Sequence, residues 1–264
     1  MSTVQVEVSE GIATITFNNP KTLNAITTDD YNAFGEALRA IDKRDDVVAT
    51  VWQATGRWFC AGTNVSTSGS LVSMRETFLQ RVARSNTDVT RGLYTHSKVL
   101  IAALNGPVMG IAAAFLGQFD FIYALPNAWL SVPFTFIGII TEGGSSVSFA
   151  RRMGVARANE ALIFGKKLDS KTLLECGFLN KIFPEQSVES FHAAVRAHLL
   201  SELEGLDWTA ILHVKQLLKI AQAAQNDPDA TNLRESYAQA ERLATSVPAE
   251  RFGKLARKEI KHKL

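Results

Sequence analysis

The chain has 264 residues, 46% of them hydrophobic, and a formal net charge of +2, which is enough apolar material for one large core or a core with a smaller helical piece. So small a charge argues against nucleic acid or an anionic membrane surface as the main partner. Cys60 and Cys176 lie far apart without metal-ligand spacing, so both are expected unpaired in a reducing compartment.

In chain order, Val4–Val8 and Ile12–Phe17 cluster β-branched residues around Glu10-Gly11 and read as an opening hairpin, ended by Asn18-Asn19-Pro20. Thr27 or Thr28 can cap a helix with Asp29 and Asp30 in its first turn and Tyr31, Phe34, Leu38 and Ile41 on one apolar face. Val47–Ala54 and Val99–Leu104 are apolar runs of strand length, each followed by a turn with glycine and small residues. Ser66–Ser97 starts polar and irregular and then turns helical, with Met74, Phe78, Val82 and Val89 expected on a buried side; it reads as a movable flap.

Phe119–Tyr123 and Ala128–Ser131 are expected strands, and Ser145–Met153, Ala156–Phe164 and Ser170–Cys176 expected helices. Beyond Val188 the pattern is helical almost throughout, broken at Asn226-Asp227-Pro228 and Ser246-Val247-Pro248. The expected fold class is α/β, with a core over residues 1–187 and a helical region over 188–264. Uncharged stretches at Val99–Phe119 and Phe121–Thr141 are interrupted by Asn, Pro and Gly, so no membrane span is expected. The first residues lack the basic and apolar regions of a signal peptide.

Between Asp120 and Glu160 the only acid is Glu142, set among Ile139, Ile140, Thr141, Gly143 and Gly144. Burial would disfavour its ionised form and raise its pKa, the property wanted in a general base working near neutrality. A wet carboxylate at a helix start is the alternative reading. Two turns share one design: Trp58-Phe59-Cys60-Ala61-Gly62-Thr63 and Asn105-Gly106-Pro107-Val108-Met109-Gly110-Ile111 each lead from a buried strand through small residues towards a helix. Each can be a plain connection. Together they can also present two unpaired N–H groups to one developing oxyanion. The five histidines, His96, His192, His198, His213 and His262, share no ligand spacing and are expected as surface or helix residues without a metal. Elbow, dinucleotide, Walker and zincin motifs are all missing from the sequence.

Phe59-Cys60-Ala61-Gly62-Thr63, the Asn105–Ile111 segment, Phe119-Asp120-Phe121 and the early Asn19-Pro20 with Leu23-Asn24-Ala25 resemble the crotonase (enoyl-CoA hydratase/isomerase) superfamily over nearly the whole chain. The resemblance implies a spiral of repeated ββα units, C-terminal helices that serve trimer contacts and cover the site, and an acyl-CoA thioester as substrate, with no separate cofactor. It places the oxyanion donors at Thr63 and Ile111. A homotrimer or a dimer of trimers would follow. Matching the two hydratase glutamates gives Ala114 and Phe134, the latter after Pro133, so neither hydratase acid is present.

Gly138-Ile139-Ile140-Thr141-Glu142-Gly143-Gly144 resembles instead the fungal peroxisomal Δ3,Δ2-enoyl-CoA isomerases, whose catalytic glutamate has a Thr-Glu-Gly-Gly setting. That implies Glu142 as a single base moving a proton from C2 to C4. Thr63-Asn64 departs from the commoner Ala-Asp and leaves substrate preference open. The resemblance makes Leu23, Asn24, Ala25 and Ala61 candidate CoA contacts, with Lys21 and Arg57 for its phosphates. Phe134, Ile137 and Ile140 are candidates for the acyl channel. His262-Lys263-Leu264 has the shape of a peroxisomal address read by an import receptor, with a basic helix end as the alternative and the cytoplasm as the alternative location. Dienoyl-CoA isomerisation, hydration, another proton shift on a specialised acyl-CoA, and a non-catalytic acyl-CoA-binding subunit are the competing functions.

Overall fold

The computed structural model describes residues 2–64 and 73–262. The opening hairpin forms as expected: β1 (Val4–Ser9) pairs antiparallel with β2 (Ile12–Phe17), and Gly11 makes the turn with φ 74°. Helix α1 (Thr28–Asp42) starts at Thr27, whose hydroxyl takes the Asp30 N–H while the Asp30 carboxylate takes the Thr27 N–H. Its apolar face, Tyr31, Phe34, Leu38 and Ile41, is buried as the spacing required. From β2 onward the main sheet is parallel: β3 (Ala49–Ala54), β4 (Val99–Leu104), β6 (Phe121–Ala124) and β9 (Lys181–Ile182) follow in the order β1-β2-β3-β4-β6-β9. Parallel neighbours need crossovers, and the helices between strands supply them.

The short strands β5 (Val108–Met109), β7 (Trp129–Ser131) and β8 (Leu168–Asp169) make a second sheet in the order β5-β7-β8. Thus β4-β5 lead to α4 (Gly110–Phe115), and β6-β7 lead to α5 (Ser145–Phe164). Each unit gives one strand to either sheet and then a helix, the ββα repeat expected above. Gly154, at φ 75° and ψ 157°, breaks α5 where the sequence divided it into two helices.

The segment after Ser73 is helical without interruption: α2 (Met74–Thr77), a π-helical stretch from Phe78 to Thr87, and α3 (Asp88–Thr95). Val82 and Val89 are buried as expected, whereas Met74 is exposed and Phe78 half-buried, stacked on Tyr237 with ring centroids 4.7 Å apart. The first part of the expected flap, residues 65–72, lies outside the described residues.

After β8, α6 (Ser170–Glu175) leads to β9, and α7 (Val188–Leu203) starts the C-terminal region. Phe191, Val195 and Leu199 of α7 share an apolar cluster with Ile12, Val48, Val51 and Ile101, so α7 completes the core on one side of the sheet. Helices α8 (Trp208–Gln225), α9 (Pro228–Leu243) and α10 (Ser246–Ala256) follow. Among the described residues no helix is long and apolar enough to cross a membrane. His96 corrects one expectation: it is 1% exposed, with Nε2 2.9 Å from the Thr50 hydroxyl, because it ends α3 against the sheet.

Candidate active site

The two glycine turns lie side by side. Cys60 N–H donates to the Pro107 carbonyl and Met109 N–H to the Cys60 carbonyl, so the turns are joined as a short parallel bridge. Gly62 (φ 88°) and Gly110 (φ 62°) hold left-handed backbone that only glycine takes without strain. A Cβ on Gly62 would also stand 3.0 Å from the Met109 carbonyl oxygen. The N–H groups that follow these glycines face away from the backbone pairing. Ile26 bonds to the Gly62 carbonyl and the Asn64 N–H, which turns Thr63 N–H to the opposite side. Ile111 is the second residue of α4, where backbone N–H groups have no partner within the helix.

Glu142 is 7% exposed, and it does not sit at a helix start: α5 is capped at Gly144 and begins at Ser145. Its wet alternative is therefore excluded. Oε2 accepts hydrogen bonds from the Asn86 amide and from the Gln239 amide, the latter at 2.8 Å. Oε1 has no hydrogen-bond donor among the described residues. Burial pushes the Glu142 carboxyl up to about 7, with Glu235 adding like charge, against the two amide bonds that favour the anion. One oxygen is thus fixed and the other is left to exchange a proton.

Position follows from packing. A Cβ on Gly143 would lie 3.1 Å from Ala114 Cβ and 3.4 Å from Ile111 Cδ1, so the turn that carries Glu142 rests directly on the helix that presents Ile111 N–H. Gln118 Nε2 donates to the Gly143 carbonyl at 3.1 Å. The loop before Glu142 is tied to the C-terminal helices: Ile140 N–H donates to Gln239 Oε1 at 3.2 Å, Arg242 Nε donates to the Gly138 carbonyl at 2.7 Å, and Arg251 Nε donates to the Phe136 carbonyl. Tyr31 completes the surround. Its hydroxyl lies 2.6 Å from Thr63 Oγ1, and burial, with the Glu142 charge nearby, holds its phenol well above the usual range.

Glu142, Thr63 and Ile111 are thus brought onto the turns and helix of one site. Ala114 is fully buried against Gly143, and Phe134 is 1% exposed in the main core. Ile137 and Ile140 are half-buried in the loop leading to Glu142. Asn24 is committed internally: Nδ2 donates to the carbonyls of Thr55 and Trp58, and its backbone N–H and carbonyl pair with the Asn19 carbonyl and Cys60 Sγ. It braces the first glycine turn. Leu23 does the same by accepting Ala61 N–H. Ala25 and Ala61 are half-buried, and Lys21 and Arg57 are exposed. His262 packs edge-on against Phe136, while Lys263 and Leu264 lie outside the described residues.

Asn86, Gln239, Glu235 and Tyr31 carry site roles that sequence reading did not assign. Asn86 stood one helical step after Val82 on the side expected to be buried, which was a usable signal. Gln239 and Glu235 had none of that kind, because α9 buries a polar face made of Thr231, Glu235, Ser236 and Gln239.

Two backbone N–H groups that follow glycine turns and one buried, weakly acidic carboxylate make an arrangement that can draw a proton from carbon beside a carbonyl and steady an enolate. Residues 7–251 match the family model described as enoyl-CoA hydratase/isomerase, and the chain belongs to that family, the crotonases. The Δ(3,5)-Δ(2,4)-dienoyl-CoA isomerase of Pyricularia oryzae is 34% identical, with 98% of this chain and 98% of that protein covered. The 3,2-trans-enoyl-CoA isomerase of Saccharomyces cerevisiae is 34% identical over 93% of this chain and 91% of its own length. The fold matches a crystal structure of an enoyl-CoA hydratase/isomerase from Pseudoalteromonas atlantica T6c with a TM-score of 0.84, 23% identity and full coverage of both chains.

Proposed function

We propose that this enoyl-CoA isomerase moves a double bond from C3 to C2 of an acyl-CoA in the breakdown of unsaturated fatty acids. Glu142 Oε1 takes the C2 proton, and the electron pair of that C–H bond enters the thioester as a dienolate. Thr63 and Ile111 N–H groups hold its oxygen. The protonated Oε1 then delivers the proton to C4, which leaves the double bond at C2. No net proton is gained or lost, so one carboxylate serves both steps. The observation that carries this reading is the division of Glu142, with Oε2 fixed by two amides and Oε1 open, while Ala114 and Phe134 supply no second acid.

A base at about 7 suits this work, since it is ionised often enough to take a proton and acidic enough to return it. The half-buried Ala25 and Ala61 would offer backbone contacts to the CoA adenine side, and the exposed Lys21 and Arg57 would meet its phosphates. Ile137 and Ile140 would flank the acyl chain. Assembly as a trimer or a dimer of trimers, and import into the peroxisome through His262, Lys263 and Leu264, belong to the same proposal.

Purified protein should convert 3-enoyl-CoA to trans-2-enoyl-CoA, and Glu142→Gln should lose this while still binding acyl-CoA. Normal turnover by that variant would sink the assignment. The Pyricularia relative favours a second reading, a 3,5- to 2,4-dienoyl shift by the same base. Parallel assays on 3-enoyl-CoA and 3,5-dienoyl-CoA separate the two by their kcat/KM values.

A further inference from the structure

We propose that Glu235, on α9, is a positioning residue for Glu142: it clamps the turn after the base and sets a second negative charge beside it. The helix that follows that turn has no cap of its own. Gly144 stands at the cap position with φ 75° and no side chain, and the first N–H groups of α5 need acceptors. Glu235 supplies them from 91 residues away. Oε2 accepts Gly144 N–H at 2.7 Å, and Oε1 accepts Ser146 N–H at 2.9 Å and the Ser146 hydroxyl.

Glu235 and Gln239 are four residues apart, so both side chains leave the same face of α9. Gln239 holds Ile140 N–H and Glu235 holds Gly144 N–H, which fixes the backbone two residues to either side of Glu142. A cap alone does not explain the choice of residue. Position 144 cannot carry a capping side chain, since a Cβ there would stand 2.4 Å from Gln118 Nε2 at φ 75°, but a neutral glutamine at 235 would also offer an acceptor oxygen; Glu235 is instead 6% exposed, and burial raises its carboxyl, with the Ser146 and Gly144 donors working against that rise. What a buried acid adds is like charge, which favours the protonated form of Glu142.

Other charged groups lie on the elements packed around this pair. Tyr31 on α1 feels Glu142, and the segment that supplies Asn86 also carries Arg81 and Arg84. On α9 Asp229, Arg234, Glu241 and Arg242 are charged, Arg242 being bonded to the Gly138 carbonyl, and the helices packed on α9 add Arg75 and Glu76 of α2, Asp88 and Arg91 of α3, and Glu250, Arg251 and Lys254 of α10. Helix α4 has no charged residue, and α5 brings only Arg151 and Arg152 in its second turn, both turned to backbone carbonyls elsewhere.

This inference rests on the isomerase reading, and its test separates the two. Glu235→Gln keeps size and one acceptor oxygen but removes the charge. The acid limb of the kcat/KM profile for 3-enoyl-CoA should move to lower pH in that variant, and an unmoved limb, or one moved to higher pH, would overturn the proposal. Ser146→Ala, which keeps the charge, should lower the melting temperature and leave the limb in place; a limb that moves there as far as in Glu235→Gln also overturns it. If Glu235→Gln does not fold, Glu235→Asp keeps the charge and draws it back from the turn. That variant should lose about tenfold in kcat with KM within twofold, and wild-type kcat would overturn the clamp. If the wild-type chain turns over no enoyl-CoA, the isomerase reading fails. The proposal then stands or falls on the Glu142 carboxyl titration by carbon-13 NMR, assigned with Glu142→Gln, which must shift to lower pH in Glu235→Gln.

Discussion

Replacing Gln239 with leucine removes one of the two donors on Glu142 Oε2 while keeping most of the volume of a side chain that is 1% exposed. A hydrogen bond to a charged group is worth roughly 1.5–3 kcal/mol, and most of that is lost only when Glu142 is ionised. The loss corresponds to a further rise of about one to two pH units in the Glu142 carboxyl. Starting from about 7, Glu142 is half ionised at neutral pH. The variant would be ionised there about a tenth to a hundredth of the time, so kcat/KM should fall roughly 5- to 50-fold at pH 7. Most of it should return at pH 9. Ile140 N–H also loses its acceptor, which lowers stability but does not depend on pH. The assay is kcat/KM for 3-enoyl-CoA between pH 5 and 9. A loss equal at every pH, or an acid limb moved to lower pH, would refute the claim that Gln239 favours the ionised base.

Glu142→Gln should be inactive yet more stable at alkaline pH. The folded-state value of about 7 lies above the ordinary 4.5, so the acid binds its proton more tightly when folded. Stability from this group is therefore complete below about 4.5 and is lost as pH rises through 7, by on the order of 3 kcal/mol. Urea melts should show the variant gaining at pH 8 and not at pH 4; equal gains would contradict the burial argument. Thr63→Ala retains its N–H and should keep kcat within a few fold, whereas Thr63→Pro removes the donor and should cost about 100- to 1,000-fold. Equal kcat in the two would remove Thr63 from the oxyanion role. Gly143→Ala places a methyl 3.1 Å from Ala114 at φ 72°, so it should cost about 1–2 kcal/mol in thermal melts and lower kcat by shifting α4. An unchanged melting temperature would mean the turn does not press on α4.

The ββα frame was legible because its signals are local. Buried strands show as apolar runs, Gly62 and Gly110 mark turns that need left-handed backbone, and Thr27 with Asp30 announces α1. Glu142 stood out through its apolar neighbours, and the structure gives that isolation its cause, since the loop is covered by α9. The cover itself was not legible. Gln239 lies 97 residues beyond Glu142, and α9 shows no apolar stripe because the face it buries is polar. Asn86 was partly legible, one helical step after the buried Val82, but the face it lies on was not read correctly throughout. The π-helical stretch from Phe78 to Thr87 changes the helical register, so a 3.6-residue period placed Met74 inside when it is exposed. Asn24 and Leu23 resemble ligand contacts in sequence, yet their bonds are spent on holding the Cys60–Ala61 turn, a distinction that only three dimensions reveal.

The central claim is that one buried carboxylate carries one proton from C2 to C4. It is tested most directly with 3-enoyl-CoA deuterated at C2, turned over in ordinary water, with the product read by mass spectrometry and NMR. Because Glu142 is 7% exposed, a deuteron on Oε1 should often reach C4 before it exchanges with solvent, so product with deuterium at C4 is predicted. Active enzyme whose product carries only solvent hydrogen at C4 would contradict the shuttle.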